Sequence, residues 1–322
     1  MTKIIAELCQ NHNGDKNILD EMVSAASENG ADFAKIQSMH SDELTHRERF
    51  DNGLIEGEKI KVIKRPYKDE YARLKNLDLE LEDHSLFLSL CKKYKILPCT
   101  TIFSLSKIKM ISDLNFEMVK VASFDCASHR LIKEIAESSF KHVIVSTGAT
   151  YDREIKETAK ILRESDKTFT LLHCISIYPT PLEEGHLDRI NYLKNFSDSV
   201  GLSDHSNPDI NQNILSAMAM TYEIDFIEKH FTILDKNKSK DGPVSVNPSQ
   251  LKELSSLTKF SKKKLLDYIK DKNIDCEILK GMANRDLSDL ELLNRDYYQG
   301  RFASKNNKNK IVFNWDEESE FY

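Results

Sequence analysis

The sequence predicts an α/β chain folded as a single (β/α)8 TIM barrel, and three observations predict it. Short β-branched runs alternate with amphipathic, Lys/Glu-rich segments along most of the chain, the pattern of a parallel sheet with helices outside it. The alternation occurs eight times, which favours a closed barrel over an open sheet of five or six repeats. Polar residues gather where each expected strand ends, the face on which barrels carry their chemistry. The 322 residues accommodate one barrel of roughly 250 residues with extensions.

Strands are expected at 3–8 (KIIAEL), 33–37 (FAKIQ), 96–102 (ILPCTTI), 116–122 (FEMVKVA), 142–148 (HVIVSTG), 169–176 (FTLLHCIS), 198–204 (DSVGLSD) and 225–231 (DFIEKHF). Helices are expected near 16–29, 82–94, 104–113, 128–138, 152–164, 185–196, 208–221 and 249–271. Two stretches interrupt the rhythm. Residues 38–80 make the connection after the second strand far longer than the usual few residues, and such an insertion should form a partly helical flap over the mouth, or an oligomer contact. The barrel is then expected over 1–272. A C-terminal extension over 273–322, with a helical pattern (LSDLELLNRDYY), a basic stretch (KNNKNK) and an acidic end (WDEESEFY), is too short for a second core.

Composition excludes several classes. With 40% hydrophobic and 30% charged residues, and no apolar run near the roughly 18 residues a membrane helix needs, nothing is expected to span a bilayer. The first residues, MTKIIAELCQNHNG, lack the apolar core of a secretory signal, so a cytoplasmic location is expected. A net charge of -6 argues against a nucleic-acid partner. The six cysteines contain no CxxC pair, consistent with reduced thiols rather than a zinc cage or a disulfide framework.

The polar residues at the strand ends are Glu7, Lys35 with Gln37, Thr101, Lys120 with Ser123, Ser146, Tyr178, Ser203 with His205, and Glu228 with His230. Side chains alternate across a strand, so Lys35/Gln37, Ser203/His205 and Glu228/His230 each present both members to one face. Two lysines among hydroxyls supply charge-assisted donors for a compact, highly charged anion such as a phosphorylated carboxylate. The competing reading is a buried salt-bridge net of those lysines with Glu7 and Glu228. Two histidines on the last two strands could hold one divalent metal, although single strand histidines are usually satisfied core residues.

These segments resemble the sialic acid (N-acetylneuraminate) synthase family, with its legionaminic and pseudaminic acid relatives. The resemblance is carried by AELCQNHNGD (6–15), AKIQ (34–37), CTTIFS (99–104), VKVAS (119–123), VSTGA (145–149), LLHCISIYPTP (171–181), GLSDHS (201–206) and EKHFTI (228–233). It implies a transferase that condenses phosphoenolpyruvate with an N-acetylated amino-sugar aldehyde, N-acetylmannosamine or a relative, and releases phosphate by C–O cleavage. It further implies phosphoenolpyruvate at Lys35, Thr101, Lys120, Ser123, Ser146 and Ser203, and a divalent metal, manganese, at His205 and His230. Gln37 and Tyr178 would lie about the sugar, Glu7 and Glu228 would handle the water and its protons, and the chain would be a homodimer. The sequence departs from the family pattern at Ile102, where Pro is usual, at Ser176, where Asn is frequent, and at Val244, where Asp is usual, with Asp241 near enough in sequence to replace it. The family's C-terminal antifreeze-like domain has no counterpart in 273–322. A phosphorylated aldose as substrate, with Arg65, Lys68 or Arg73 binding its phosphate, and a non-catalytic relative are the other readings.

Overall fold

The computed structural model describes residues 1–317, so 318–322 of the acidic end lie outside the described residues. The barrel strands are β1 (Lys3–Glu7), β2 (Phe33–Ser38), β3 (Leu97–Ile102), β4 (Met118–Val121), β5 (His142–Ser146), β6 (Thr168–His173), β7 (Ser199–Asp204) and β8 (Phe226–His230). Each strand lies parallel beside its chain neighbour, and β8 closes onto β1 with Glu7 opposite His230. The outer helices are α1 (Lys16–Glu28), α2 (Leu81–Tyr94), α3 (Leu105–Asp113), α4 (His129–Glu137), α5 (Asp152–Arg163), α6 (Arg189–Leu193), α7 (Ile214–Met220) and α8 (Pro248–Leu257). The expected α/β barrel is therefore the fold, with strand ends within a few residues of those read from the sequence.

Local chemistry explains why these segments are helices. In α1, Asp15 caps the first turn by accepting from the Asn17 amide at 2.7 Å, and Leu19, Met22, Val23 and Ala26 form one buried stripe. Three expected helices differ in extent. The 208–221 helix breaks at Gln212, whose φ of 50° is left-handed, leaving Pro208–Asn211 before α7. The 249–271 helix is α8 followed by a separate helix, Lys262–Lys270, whose new N-terminus is capped by Ser261. The 185–196 helix contracts to α6, because His186, with a left-handed φ of 43°, breaks the helical path before Arg189.

Two layers of core follow from the strand alternation. Outward residues such as Ile4, Ile36, Val119, Val145 and Ile227 pack against the helices. Inward, the lower lumen is filled by Ile5, Phe33, Cys99, Met118, Ile144, Leu172 and Phe226. One step of two residues up the same face turns Ile5 into Glu7, Phe33 into Lys35, Cys99 into Thr101, Met118 into Lys120, Ile144 into Ser146 and Phe226 into Glu228. The lumen thus changes from apolar to polar within about 7 Å of strand rise.

The insertion after β2 holds a ribbon (Leu54–Glu56 with Lys59–Val62) and a helix (Tyr67–Lys75), so the expected flap is part helix and part β. The C-terminal segment contributes helices Cys276–Lys280 and Asp289–Tyr298 and a short ribbon, Ser304–Lys305 with Ile311–Val312. Leu279 and Val312 belong to the barrel's own apolar core. No helix among the described residues is long and apolar enough to cross a membrane. All six cysteines are unpaired.

Candidate active site

A cavity of about 360 Å³ opens at the C-terminal end of the strands. Glu7, Lys35, Gln37, Thr101, Lys120, Ser123, Ser146, Tyr178, Ser203, His205, Glu228, His230 and Asp241, all singled out from the sequence, line it together. A larger concavity of about 850 Å³ lies at the opposite end of the barrel, walled by Phe33, Met118 and Phe226. It gathers no comparable set of buried catalytic groups, so the smaller cavity is the candidate site.

Its floor is a charged knot. Lys35 is 1% exposed and pairs with Glu7, stands 3.5 Å from Glu228 Oε2, and donates to Thr101 Oγ1 at 2.9 Å. Lys120 crosses the lumen to pair with Glu228 Oε1, which also accepts from Ser203 Oγ at 2.7 Å. The salt-bridge net weighed against an anion site is therefore present. Burial pushes the Lys35 ammonium down to about 8 although Glu228 opposes it. For Glu228 burial acts upward, but Lys120 and Lys35 together hold its carboxyl below the usual range.

Around the knot, several buried polar atoms have no hydrogen-bond partner: Ser146 Oγ, Ser176 Oγ, Glu228 Oε2 and His230 Nδ1. Buried polar groups are seldom left unpaired, and their convergence marks a place that a polar ligand completes. Ser176, the position that departs from the family's Asn, is among them. The β5 turn comes close to β6 here: a Cβ on Gly148 would fall 2.5 Å from Ser176 Oγ, so only glycine fits.

The histidines stand together at the rim of the knot. Their ring centroids are 5.4 Å apart, and Tyr178, 44% exposed, lays its ring 4.3 Å from that of His205. His205 Nδ1 donates to the Ile175 carbonyl at 3.2 Å in the tautomer that leaves Nε2 facing the cavity. Burial pushes His205 down to about 4 and His230 well below the usual imidazole range, so both are neutral near pH 7. Neutral imidazoles, one with Nδ1 unpartnered at His230 and one held by the Ile175 carbonyl with Nε2 3.4 Å from Ser203 Oγ at His205, fit a divalent metal. A second donor set overlaps it: ligand atoms of Cys9, His230 and Asp241 lie within 4.8 Å of one another, with the Cys9 thiol donating to Asp241 Oδ2 at 2.8 Å.

Sequence reasoning missed Cys9, Gln10, Asn294, Tyr298 and Arg301, which also line the cavity. It noted Arg65 and Arg73 only for a phosphorylated aldose and did not single out Lys240, and all three line the cavity too. Cys9 and Gln10 were legible as part of the AELCQNHNGD segment. The tail residues carried no signal, because nothing in their spacing reveals that the chain returns to the mouth.

An eight-stranded barrel with buried lysines, carboxylates and neutral histidines at the C-terminal ends of its strands defines a TIM-barrel enzyme. The model of the NeuB family matches residues 22–270, and the chain belongs to that family, as an enzyme of the sialic acid synthase type. It is 30% identical to the N,N'-diacetyllegionaminic acid synthase of Campylobacter jejuni, over 96% of this chain and 92% of that protein. It is 29% identical to the pseudaminic acid synthase of Helicobacter pylori, over 82% of this chain and 74% of that protein. The crystal structure of an N-acetylneuraminic acid synthetase from Leptospira borgpetersenii, solved with citrate, superposes with a TM-score of 0.68 at 26% identity, covering 92% of this chain and 90% of that one.

Proposed function

We propose that the protein is a nonulosonic acid synthase, which joins phosphoenolpyruvate to an N-acetylated amino-sugar aldehyde and releases inorganic phosphate with C–O cleavage. The observation that carries this reading is the pair of buried lysines, Lys35 and Lys120, beside the unpartnered hydroxyl of Ser146. Cations already desolvated and surrounded by hydroxyls bind a compact polyanion with little further reorganisation. Lys35, Thr101, Lys120, Ser123, Ser146 and Ser203 hold the phosphate and carboxylate in this reading, while Gln37, Tyr178 and Asp241 face the sugar.

The chemistry asks three things of the chain. It must hold the methylene carbon of phosphoenolpyruvate against the aldehyde carbon, which opposed walls of a narrow lumen do. It must stabilise positive charge at the central carbon as the C–C bond forms, a task suited to the carboxylates of Glu7 and Glu228. One of those carboxylates must then take a proton from the water that adds to that carbon, and the aldehyde oxygen must gain a proton to become a hydroxyl. His205 and His230 would hold a divalent metal, manganese in this reading, which supplies Lewis-acid polarisation of the aldehyde carbonyl when bound.

In the same reading, residues 1–272 are the catalytic barrel and 273–322 an extension of it, the working form is a homodimer, and the reaction is cytoplasmic. Light scattering at micromolar concentration tests the dimer, and a monomer refutes it. The function is tested by phosphate release from phosphoenolpyruvate with manganese, screened against 2-acetamido and 2,4-diacetamido sugar aldehydes. The similarity to an N,N'-diacetyllegionaminic acid synthase puts the diacetamido sugars first. Failure of every aldehyde, with phosphoenolpyruvate bound, sinks the proposal.

A further inference from the structure

The C-terminal segment is fastened across the mouth of the barrel at several points. Asn294 donates to the Ser176 carbonyl at 2.7 Å, and Arg295 donates to the Ala149 carbonyl at 2.7 Å and pairs with Glu154 at 2.6 Å. On the far side the insertion holds it: the Thr45 amide donates to the Arg301 carbonyl at 2.9 Å, and Thr45 Oγ1 to the Gly300 carbonyl at 2.6 Å. The segment is a strap, and Arg301 is its inward end, only 7% exposed and lining the cavity.

Arg301 begins a chain of polar contacts that runs back to the sugar side of the site. Its guanidinium pairs with Glu70, which also accepts from Arg73 at 3.0 and 2.9 Å. Arg73 donates to the side-chain carbonyl of Gln10, and Gln10 Nε2 donates to Gln37 Oε1 at 3.3 Å. Gln37 sits one step above Lys35 on the same face of β2. One carboxylate therefore serves two guanidinium groups, and Arg301 Nε, though buried, has no acceptor among the described residues. An arginine has five donors in a fixed fork, and one left bare inside a substrate cavity is a donor in search of an oxygen.

We propose that Arg301 binds an oxygen of the aldehyde substrate remote from its reacting carbon, an acyl or hydroxyl oxygen, and that Glu70 is the positioning residue that aims Arg301 and the Arg73–Gln10–Gln37 chain. The strap is thus part of the aldehyde pocket and not only a cover. This inference rests on the synthase reading, since it assigns the floor lysines to phosphoenolpyruvate and the strap to the other substrate.

Steady-state kinetics of the full chain with manganese, varying each substrate in turn, tests it. Arg301→Met should raise KM for the aldehyde about tenfold or more, as expected for loss of a charged hydrogen bond, and leave KM for phosphoenolpyruvate within about twofold. Arg301→Lys, which keeps the charge but lacks the Nε donor, should resemble Met and not the wild type. Glu70→Gln should shift the same constant in the same direction, and Glu70→Asp should restore part of it. Calorimetry with phosphoenolpyruvate confirms that each variant keeps a folded site. Parallel changes in both KM values, or none in either, overturn the inference while leaving the synthase reading intact. A wild-type chain that turns over no aldehyde overturns the synthase reading. The panel titrated onto phosphoenolpyruvate-loaded protein then decides Arg301: binding weakened by Arg301→Met upholds its role, and binding equal to wild type, or none by either protein, removes it.

Discussion

Replacing Lys120 by Met separates an anion-binding lysine from one that only neutralises a protein carboxylate. Lys120 pairs with Glu228, which is 1% exposed and keeps only Ser203 at 2.7 Å and Lys35 at 3.5 Å once Lys120 is gone. Breaking one side of such a buried pair costs about 3–5 kcal/mol. At about 2.1 cal/mol/K of unfolding entropy per residue, a chain of 322 residues should then lose about 4–7 °C in Tm. Loss of a desolvated cation from a polyanion site costs a further 2–5 kcal/mol of binding, so phosphoenolpyruvate affinity should fall about 30-fold or more. The double variant Lys120→Met/Glu228→Gln removes the stranded charge and should recover most of the Tm but none of the phosphoenolpyruvate affinity. Manganese affinity should rise, because Lys120 reaches across the lumen to a carboxylate two residues from His230, and removing that cation lowers the repulsion of the metal. Differential scanning calorimetry and separate titrations of the two ligands read all three quantities. Phosphoenolpyruvate affinity within about threefold of wild type would refute the anion site and leave Lys120 a partner of Glu228 alone.

Metal binding can be assigned by variants of its candidate donors. His205→Ala and His230→Ala should each weaken manganese binding about tenfold or more by electron paramagnetic resonance titration. Cys9→Ser should change it little, since manganese prefers hard donors and burial, with Asp241 beside it, raises the Cys9 thiol well above its usual range; a large loss would make the thiol a ligand. Phosphoenolpyruvate binding should also depend on pH through Lys35. Its protonated form is the binding form and its ammonium is pushed down to about 8, so above neutrality, where the ligand's own phosphate is already fully ionised, affinity should fall up to tenfold per unit above pH 8; a profile flat from pH 7 to pH 10 excludes Lys35. Away from the site, Lys229→Met should lower Tm by about 4–7 °C, because Asp204, fully buried and 2.9 Å from Lys229, would lose its cation. A smaller loss would mean that the Ser206 and Ser216 hydrogen bonds satisfy Asp204 without it.

By itself the sequence determined the barrel and the orientation of its strand residues. Eight alternations dictate closure, and the period of two dictates that Glu7, Lys35, Lys120, Ser203 and Glu228 share the lumen, because facing along a strand is a local property. In the structure the same alternation turns Lys229 and Asp204 away from the lumen, where they pair with each other. Tertiary structure alone decided who meets whom across the lumen. Lys120 and Glu228 lie on strands four apart along the wall yet touch, since distance around a closed barrel is not distance through it. It alone decided that Asp241, from the loop after β8, faces both Cys9, just after β1, and His230, at the end of β8. It decided as well that a tail with no signal of its own returns Arg301 to the cavity, held by Glu70 from the insertion. Loops and tails lack the periodicity that makes strand faces readable, and their placement depends on long-range contacts that no local pattern encodes.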